Sequence, residues 1–464
     1  MYFLYSVLTA VAAVLLLPYW IVQGLRHGKY FSGLRERLGI TYASIYKLPA
    51  DRMDSIWLHA VSVGEVLSAV GLARRLKDQY PDRPLIVSTT TATGRKLARE
   101  RIPFADAIIY FPLDWSFAVR RAFRFVRPAL VVILETEIWP NFLRAAARDH
   151  VPVLFVGGRL SPRSFARYQK WFAVLGLVLR PFIARVLSQP AAFLMQTEED
   201  AARLRALGAP PERVSVNGNL KYDLNPPADS PLAAWLETQV TERNRRPLVV
   251  AGSVVAGEEP LVLIAFGVFQ GDHARSLLVL APRKPECFDA AAEFIDESHR
   301  KFLRRSQLPL PAPASAAHPI APADGAVPDD VSVILLDSIG ELASLYRVAD
   351  VVFVGGSLVP AGGHNILEPA AFGKIPIVGP HTENFAEITS RFAAAGAAIQ
   401  THSPEDVGVA WIHLLRNPAR MQACGEVAKR LVEENRGATD RAFAAIASYL
   451  PPRAVAAAAS PHGK

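Results

Sequence analysis

Ala129-Leu-Val-Val-Ile-Leu134 is six apolar residues in a row, with no polar residue to mark a solvent face. A strand open to water on one side alternates apolar and polar positions. A strand covered by helices on both faces reads instead as an unbroken apolar run. The stretch therefore predicts a central strand of a parallel sheet, and it stops abruptly at Glu135-Thr-Glu137. Toward the N-terminus, Ser55-Ile-Trp-Leu-His-Ala60 and Pro84-Leu-Ile-Val-Ser-Thr89 read as further strands, with a helical Val66-to-Gln79 segment between them. Toward the C-terminus, Val151-Pro-Val-Leu-Phe-Val156 and Ala192-Phe-Leu-Met-Gln196 continue the series. Strand–helix alternation of this kind makes a parallel sheet with helices on both sides.

Leu224-Asn-Pro-Pro-Ala-Asp-Ser-Pro231 interrupts the rhythm as a linker would, and the pattern then restarts. Pro247–Ala251, Ser276–Leu280, Val331–Leu336, Asp350–Val354 and Ile375–Val378 are the strands expected there. The fold class is α/β, with two Rossmann-like domains. The expected divisions are residues 1–25 as an N-terminal anchor, 26–226 and 227–446 as the two domains, and 447–464 as a disordered tail. Leu308 to Asp329, rich in Pro and Ala, reads as a surface loop. Ligands of open α/β sheets sit beyond the carboxyl ends of the strands. Two such sheets facing one another would enclose a central cleft, so chemistry is sought just after each strand.

At 464 residues, the chain suits two domains of about 200 residues each. Its mean hydropathy of +0.18 is high for a purely soluble enzyme. Met1 to Leu25 has no charged residue, and as a helix would reach about 37 Å, enough for a hydrocarbon core of about 30 Å. Tyr19 and Trp20 fit an interfacial aromatic belt. Arg26, His27, Lys29, Arg35 and Arg37 put the flank and the body behind it on the cytoplasmic side. The expectation is a membrane-anchoring helix; a buried or monotopic helix is the alternative. A net charge of +8 suits anionic lipid or a phosphorylated substrate. The cations are scattered rather than grouped with aromatics, so no nucleic-acid partner is expected. Two cysteines, Cys287 and Cys424, exclude a disulfide framework and a zinc cluster.

Four stretches carry chemistry. His59-Ala-Val-Ser-Val-Gly-Glu65 leaves a strand and enters a helix, where Glu65 can act as a general base. Ser62-Val-Gly-Glu65 equally fits a helix capping box, and both readings stand at this point. Glu135 and Glu137 could steady developing positive charge or simply belong to a solvated loop; with no Asp-x-Asp motif elsewhere, no essential metal is expected. In Asn217-Gly-Asn-Leu-Lys221-Tyr-Asp223, Lys221 can meet a carboxylate or phosphate, or be an ordinary surface lysine. The fourth, Gly355-Gly-Ser-Leu-Val-Pro-Ala-Gly-Gly-His-Asn365-Ile-Leu-Glu368, follows a buried strand and opens a helix. Its glycines and the helix's N–H groups read as a phosphate cradle, with Glu368 for the hydroxyls of a ribose. Ala281-Pro282-Arg283-Lys284 adds cations, and Asp337-Ser-Ile339-Gly340-Glu341 is placed to line a base pocket.

In this order, these residues resemble the family of Kdo (3-deoxy-D-manno-octulosonic acid) transferases of bacterial lipopolysaccharide synthesis. Thr91-Ala-Thr-Gly94, Arg159-Leu-Ser161, Gly252-Ser253 with Gly257-Glu-Glu259, and Gly379-Pro-His-Thr-Glu-Asn-Phe385 extend the likeness from about Arg35 to about Ala445. The pattern departs at Val254, Val255 and Lys284. The resemblance implies a GT-B fold, the first domain binding the acceptor and the second the nucleotide sugar. It implies inverting transfer of Kdo from CMP-Kdo to a lipid A precursor (lipid IVA), with no separate cofactor. It places the general base on Glu65, and assisting groups on Glu135 and Lys221. Contacts to CMP fall on Pro282 and Arg283, on Ile339, Gly340 and Glu341, and on Asn365, Ile366, Leu367 and Glu368. The implied setting is the cytoplasmic face of a bacterial inner membrane, with its anionic lipids as a further partner.

Overall fold

The computed structural model describes residues 1–27 (backbone only from 16), 33–40, 42, 54–223, 229–310 and 326–450. Lys29, the first half of the expected linker, most of the Pro/Ala-rich loop and the tail from residue 451 lie outside these. The chain forms two units. One holds the residues up to Asp223 together with the stretch from Arg436; the other ends at Asn435.

The first unit is built on seven parallel strands: β1 (Ser55–His59), β2 (Leu85–Thr89), β3 (Ala107–Tyr110), β4 (Pro128–Leu134), β5 (Val153–Gly158), β6 (Ala192–Met195) and β7 (Val214–Val216). Their order across the sheet is β3-β2-β1-β4-β5-β6-β7. In β4, Val131 and Ile133 point into one core with Trp57, Phe155 and Phe193. Leu130, Val132 and Leu134 point into another with Leu58, Val156 and Leu194. That is why the run has no polar member: both faces are dry.

The second unit repeats the plan with β8 (Leu248–Val254), β9 (Leu277–Pro282), β10 (Lys301–Arg304), β11 (Val331–Leu335), β12 (Val351–Val354), β13 (Pro376–Val378) and β14 (Ile399–Gln400). They lie in the order β10-β11-β9-β8-β12-β13-β14. Chain progress reverses direction between β1 and β4 in the first unit and between β8 and β12 in the second, where the edge pair β10 and β11 is also exchanged. Such a switch leaves a crevice beyond the strand ends, because the connections leave in opposite directions.

One expectation needs correction, and the N-terminal anchor is left without confirmation. Residues 436–446, assigned to the second domain, belong to the first unit, as does the ordered start of the presumed tail up to Leu450. In the helix Ala438–Ala447 and the turn after it, Ala438, Ala442, Ile446 and Leu450 recur every four residues, making one apolar stripe. That stripe completes the core against Leu58, Leu72 and Val132. At the other end, a helix does form, over Tyr2–His27. However, its first turn rests on the first unit: the Tyr2 ring meets Phe182 edge-on at 5.3 Å, and Asn141 Nδ2 donates to Ser6 Oγ at 3.0 Å. Just past it, Glu36 accepts the Tyr110 N–H at 2.7 Å and pairs with Arg95 at 3.0 Å. Among the described residues, no helix is long and apolar enough to cross a membrane.

Candidate active site

At the β1/β4 switch, the helix Val63–Gln79 begins directly after the first strand and carries Glu65 in its first turn. Glu65 Oε2 accepts the Val61 N–H at 2.7 Å, and Oε1 accepts the Ser62 hydroxyl at 2.8 Å. Neither bond of a capping box is therefore built: Glu65 accepts the N–H of Val61, one residue before the N-cap, rather than that of Ser62. Ser62 occupies the N-cap, yet its hydroxyl accepts no backbone N–H and points its proton at Glu65 instead. The carboxyl is buried, with 7% of its residue surface exposed. Burial raises its pKa to about 7, the charge of Glu135 pushes the same way, and the bonds from Val61 and Ser62 only partly offset them.

Glu135 leaves β4 with φ +57°, a left-handed conformation that a non-glycine residue adopts only when its surroundings impose it. Its N–H donates to the Val156 carbonyl at 3.0 Å, which fixes the turn and helps set the second acid close to the first. Thr136 Oγ1 accepts the Arg159 N–H at 2.7 Å and steadies the same loop. Glu137 is also pushed up, by burial and then by Glu135.

Lys221 sits in the short turn Leu220–Tyr222, its N–H bonded to Asn219 Oδ1 at 3.0 Å. Asn219 Nδ2 donates to Gln196 Oε1 at 3.1 Å, and Gln196 Nε2 to the Gly157 carbonyl at 3.0 Å. Gly157 has φ +66°, and a β-carbon there would meet Leu220 Cδ1 at 3.0 Å, so the approach requires glycine. The outcome is one small depression lined by Glu65, Ser68, Glu135, Gly157, Gln196, Asn219 and Lys221. The structure thus brings together all three residues expected to be catalytic. Sequence reasoning missed Ser68 and Gln196; Gln196 follows directly on β6, a position that could have drawn attention. His59, beside them in sequence, is a core residue: it stacks on Phe111 at 3.8 Å, bonds Ser88 through Nδ1, and burial holds its pKa down to about 3.

At the β8/β12 switch, the chemistry is arranged differently. Glu258 is fully buried, and its carboxylate accepts four backbone N–H groups: Gly356 at 2.6 Å, Leu358 at 2.8 Å, Ser357 at 2.9 Å and Val255 at 3.2 Å. This overturns part of the phosphate-cradle reading. The amides at the start of the glycine loop already hold an internal anion, and the following helix Leu367–Ala371 is only five residues long. Gly355 is needed because a β-carbon would lie 2.5 Å from the Ser253 carbonyl.

The remaining nucleotide candidates are at the carboxyl ends of neighbouring strands. Pro282 closes β9 and is buried, and the exposed Arg283 follows it, its N–H bonded to Val254 O at 2.7 Å. Arg283's charge reaches Glu368 and His364. It draws the Glu368 carboxyl down against a larger upward push from burial, and it adds to the burial that lowers His364 to about 4. Asn365 bridges the loop, accepting the Leu367 N–H at 3.1 Å and donating to Glu368 at 3.4 Å. Ile366 and Leu367 are buried and support that turn. Beyond β11, Ile339 is half exposed, and Gly340 has φ +100°. Glu341 keeps its side chain for the protein itself. Its carboxylate is buried against Arg305 in a two-pronged pair at 2.9 and 3.0 Å, leaving only its main chain to meet a ligand. Among the described residues, no cluster of His, Cys, Asp or Glu could hold a metal ion.

Residues 32–224, most of the first unit, match the family model described as 3-deoxy-D-manno-octulosonic-acid transferase (kdotransferase). The 3-deoxy-D-manno-octulosonic acid transferase of Haemophilus influenzae is 32% identical over 452 residues, spanning 97% of this chain and 98% of that protein. The chain belongs to the Kdo transferase family. The transferase of the same name from Bordetella pertussis agrees, at 34% identity over 415 residues, covering 87% of this chain and 89% of its own. Among solved structures, the calicheamicin glycosyltransferase CalG4 superposes with a TM-score of 0.50 at 15% identity, over 87% of this chain and all of that one. That likeness concerns the fold alone, and it agrees with two seven-stranded parallel sheets in a GT-B arrangement. The chain is accordingly a glycosyltransferase enzyme.

Proposed function

We propose that this Kdo transferase moves Kdo from CMP-Kdo to a hydroxyl of a lipid A precursor, in one inverting displacement with Glu65 as the base. The observation that carries the reading is the Glu65 carboxyl, buried, held by two hydrogen bonds and raised to about 7. A base is most useful when its pKa lies near the working pH, since it is then both unprotonated and able to accept a proton. The acceptor oxygen bonds to the anomeric carbon as the bond from that carbon to the CMP phosphate breaks. The hydroxyl proton goes to Glu65 and the electron pair leaves with CMP. Glu135 would steady the positive charge that develops on the sugar, and Lys221 would meet an anionic group of donor or acceptor.

CMP would be bound by the second unit: Pro282 and Arg283 on its phosphate, the main chain of Ile339, Gly340 and Glu341 on its base, and Asn365 to Glu368 around its ribose. No separate cofactor is needed, because CMP is a good leaving group by itself. The N-terminal helix, resting on the first unit by its first residues and exposing Phe3, Leu8, Val14 and Leu15, would hold the enzyme on the cytoplasmic face of a bacterial inner membrane. The basic chain would add attraction to anionic lipid.

The test is incubation of the purified protein with CMP-Kdo and lipid IVA, reading product mass, beside the Glu65→Gln form. Product from the natural chain, none from the variant and equal CMP binding by both is the expected result. Transfer from UDP-sugars but not from CMP-Kdo would refute the donor assignment.

A further inference from the structure

The second unit holds a cavity that none of the nucleotide candidates lines. It lies at the amino ends of β12 and β13, whereas Pro282, Arg283 and the glycine loop follow the carboxyl ends of the parallel strands. Asp350, Lys374 and Ile375 line it from the strand ends, and Leu414, Met421 and Gln422 from the helices Pro404–Arg416 and Pro418–Glu434. Its volume is about 220 Å³, room for a small organic molecule. The wall is closely packed: a β-carbon on Gly425 would collide with the Gly373 carbonyl, so loop and helix meet backbone to backbone.

Lys374 is half-buried, and among the described residues its ammonium makes no hydrogen bond or ion pair. The acid at hand, Asp350, is already engaged: Oδ2 accepts the Leu248 N–H at 2.7 Å, and Oδ1 faces Arg246 at 3.8 Å. Arg347 is held by Glu237 at 2.9 Å. Burial holds the Lys374 pKa below its ordinary value; Asp350 pulls it partly back, and Arg246 and Arg347 push it further down. A cation drawn out of water without a partner costs stability, and an anion in the cavity would relieve that cost. Ile375, Leu414 and Met421 offer apolar surface to the rest of such a molecule, which a bare inorganic ion would leave unused.

The same turn reaches toward the nucleotide candidates. The N–H groups of Gly373 and Lys374 donate to the carbonyls of Ala370 and Pro369 at 2.9 and 3.1 Å, closing the helix Leu367–Ala371 that carries Glu368. A helix of five residues has little stability of its own, so whatever fixes its last turn steadies all of it. We propose that this cavity is an effector site: a small organic anion with a short apolar tail pairs with Lys374 and steadies the helix that presents Glu368 to the nucleotide. The link to the nucleotide rests on the reading of CMP binding above; the anion site does not.

Calorimetry on the full chain, with CMP in saturating amount, uses butyl phosphate and pentanoate as probes and 1-pentanol as the uncharged control. One anion per chain and no heat from the alcohol are expected, the better-bound probe telling a phosphate head from a carboxylate. Lys374→Met should weaken that binding about tenfold or more. So should Gln422→Glu, which sets a carboxylate at an exposed position of the rim and leaves the core untouched. In the converse titration, the anion should tighten CMP about fivefold in the natural chain and not in Lys374→Met. No anion binding, or binding that both variants keep, overturns the site. CMP affinity left unchanged by the anion, or weakened equally in the natural chain and Lys374→Met as competition for the nucleotide's own seat would do, overturns the link. A chain that binds no CMP fails the nucleotide reading and takes the link with it, while the Lys374→Met comparison still decides the anion site.

Discussion

Glu65 and Glu258 are buried carboxylates in corresponding places, each after the first strand of its unit and beside the strand across the switch. Their partners differ. Across from Glu258, the loop after β12 turns backbone N–H groups inward, and Gly356, Ser357 and Leu358 all donate to it. Across from Glu65, the loop after β4 presents another acid, Glu135, and only one backbone N–H and one hydroxyl reach the carboxyl. Burial pushes both pKa values up. At Glu258, four amides satisfy the charge and lock it in place. At Glu65, the charge stays under-satisfied, so a proton is welcome. The same architectural position thus yields a fastener in one unit and a reactive group in the other, decided by what the opposite loop presents.

The largest effect expected of this contrast is on turnover. Glu65→Gln should lower kcat by about a thousandfold, within the usual range for loss of a general base, with CMP affinity by calorimetry unchanged. If Glu258→Gln lowered kcat as much without weakening the fold, the two carboxylates would not differ as described. The next effect is on stability. Glu258→Gln turns an amide NH2 toward backbone donors and should cost about 2–3 kcal/mol in urea unfolding.

Smaller, but sharper, is the pH dependence. kcat/KM should fall about tenfold per pH unit below about 7, as the Glu65 carboxyl takes up its proton. Glu135→Gln removes a charge that raises Glu65 and should move that limb to lower pH. Glu258→Gln should leave it in place. Smallest is a stabilisation. A carboxyl whose folded pKa exceeds its ordinary 4.5 favours the fold fully below that value, and the contribution is lost as pH rises through about 7. Glu65→Gln should therefore raise Tm by about 2–4 °C at pH 8 and by almost nothing at pH 4, measured by calorimetry.

The strands legible in the sequence were the ten covered on both faces, whose apolar runs need no context. The four that escaped, β3, β7, β10 and β14, are the four sheet edges. Edge strands are short and partly open, so Lys301, Arg304 and Gln400 can occupy them, and the apolar signal thins out. Glu65 and Glu135 drew notice because each follows a predicted strand, and Lys221 because it lies just past an apolar run; the three share one depression. Glu258 did not, since its partners lie about a hundred residues ahead and Gly257-Glu-Glu reads locally as a helix start. The Glu341 pair was hidden for a similar reason: Arg305, which takes its carboxylate, stands 36 residues earlier and nothing local announces it. The C-terminal stripe of Ala438, Ala442, Ile446 and Leu450 shows an apolar face but not which sheet it covers.

That last helix has a consequence for how the protein is made. Asp223, the final residue of the first unit before the chain departs, accepts the N–H of Gly437 at 2.6 Å and that of Thr439, so exit and return are tied by one side chain. The second unit is in effect an insertion between them. On the ribosome, residues up to Asp223 emerge with the seat of Ala442 and Ile446 still bare. Roughly two hundred more residues must be translated before the closing helix arrives. The second unit can finish folding first, although it is synthesised later. The nascent first unit must wait with an open apolar groove, where a chaperone would be expected to bind and where a premature stop after Asn435 would leave it permanently unsealed.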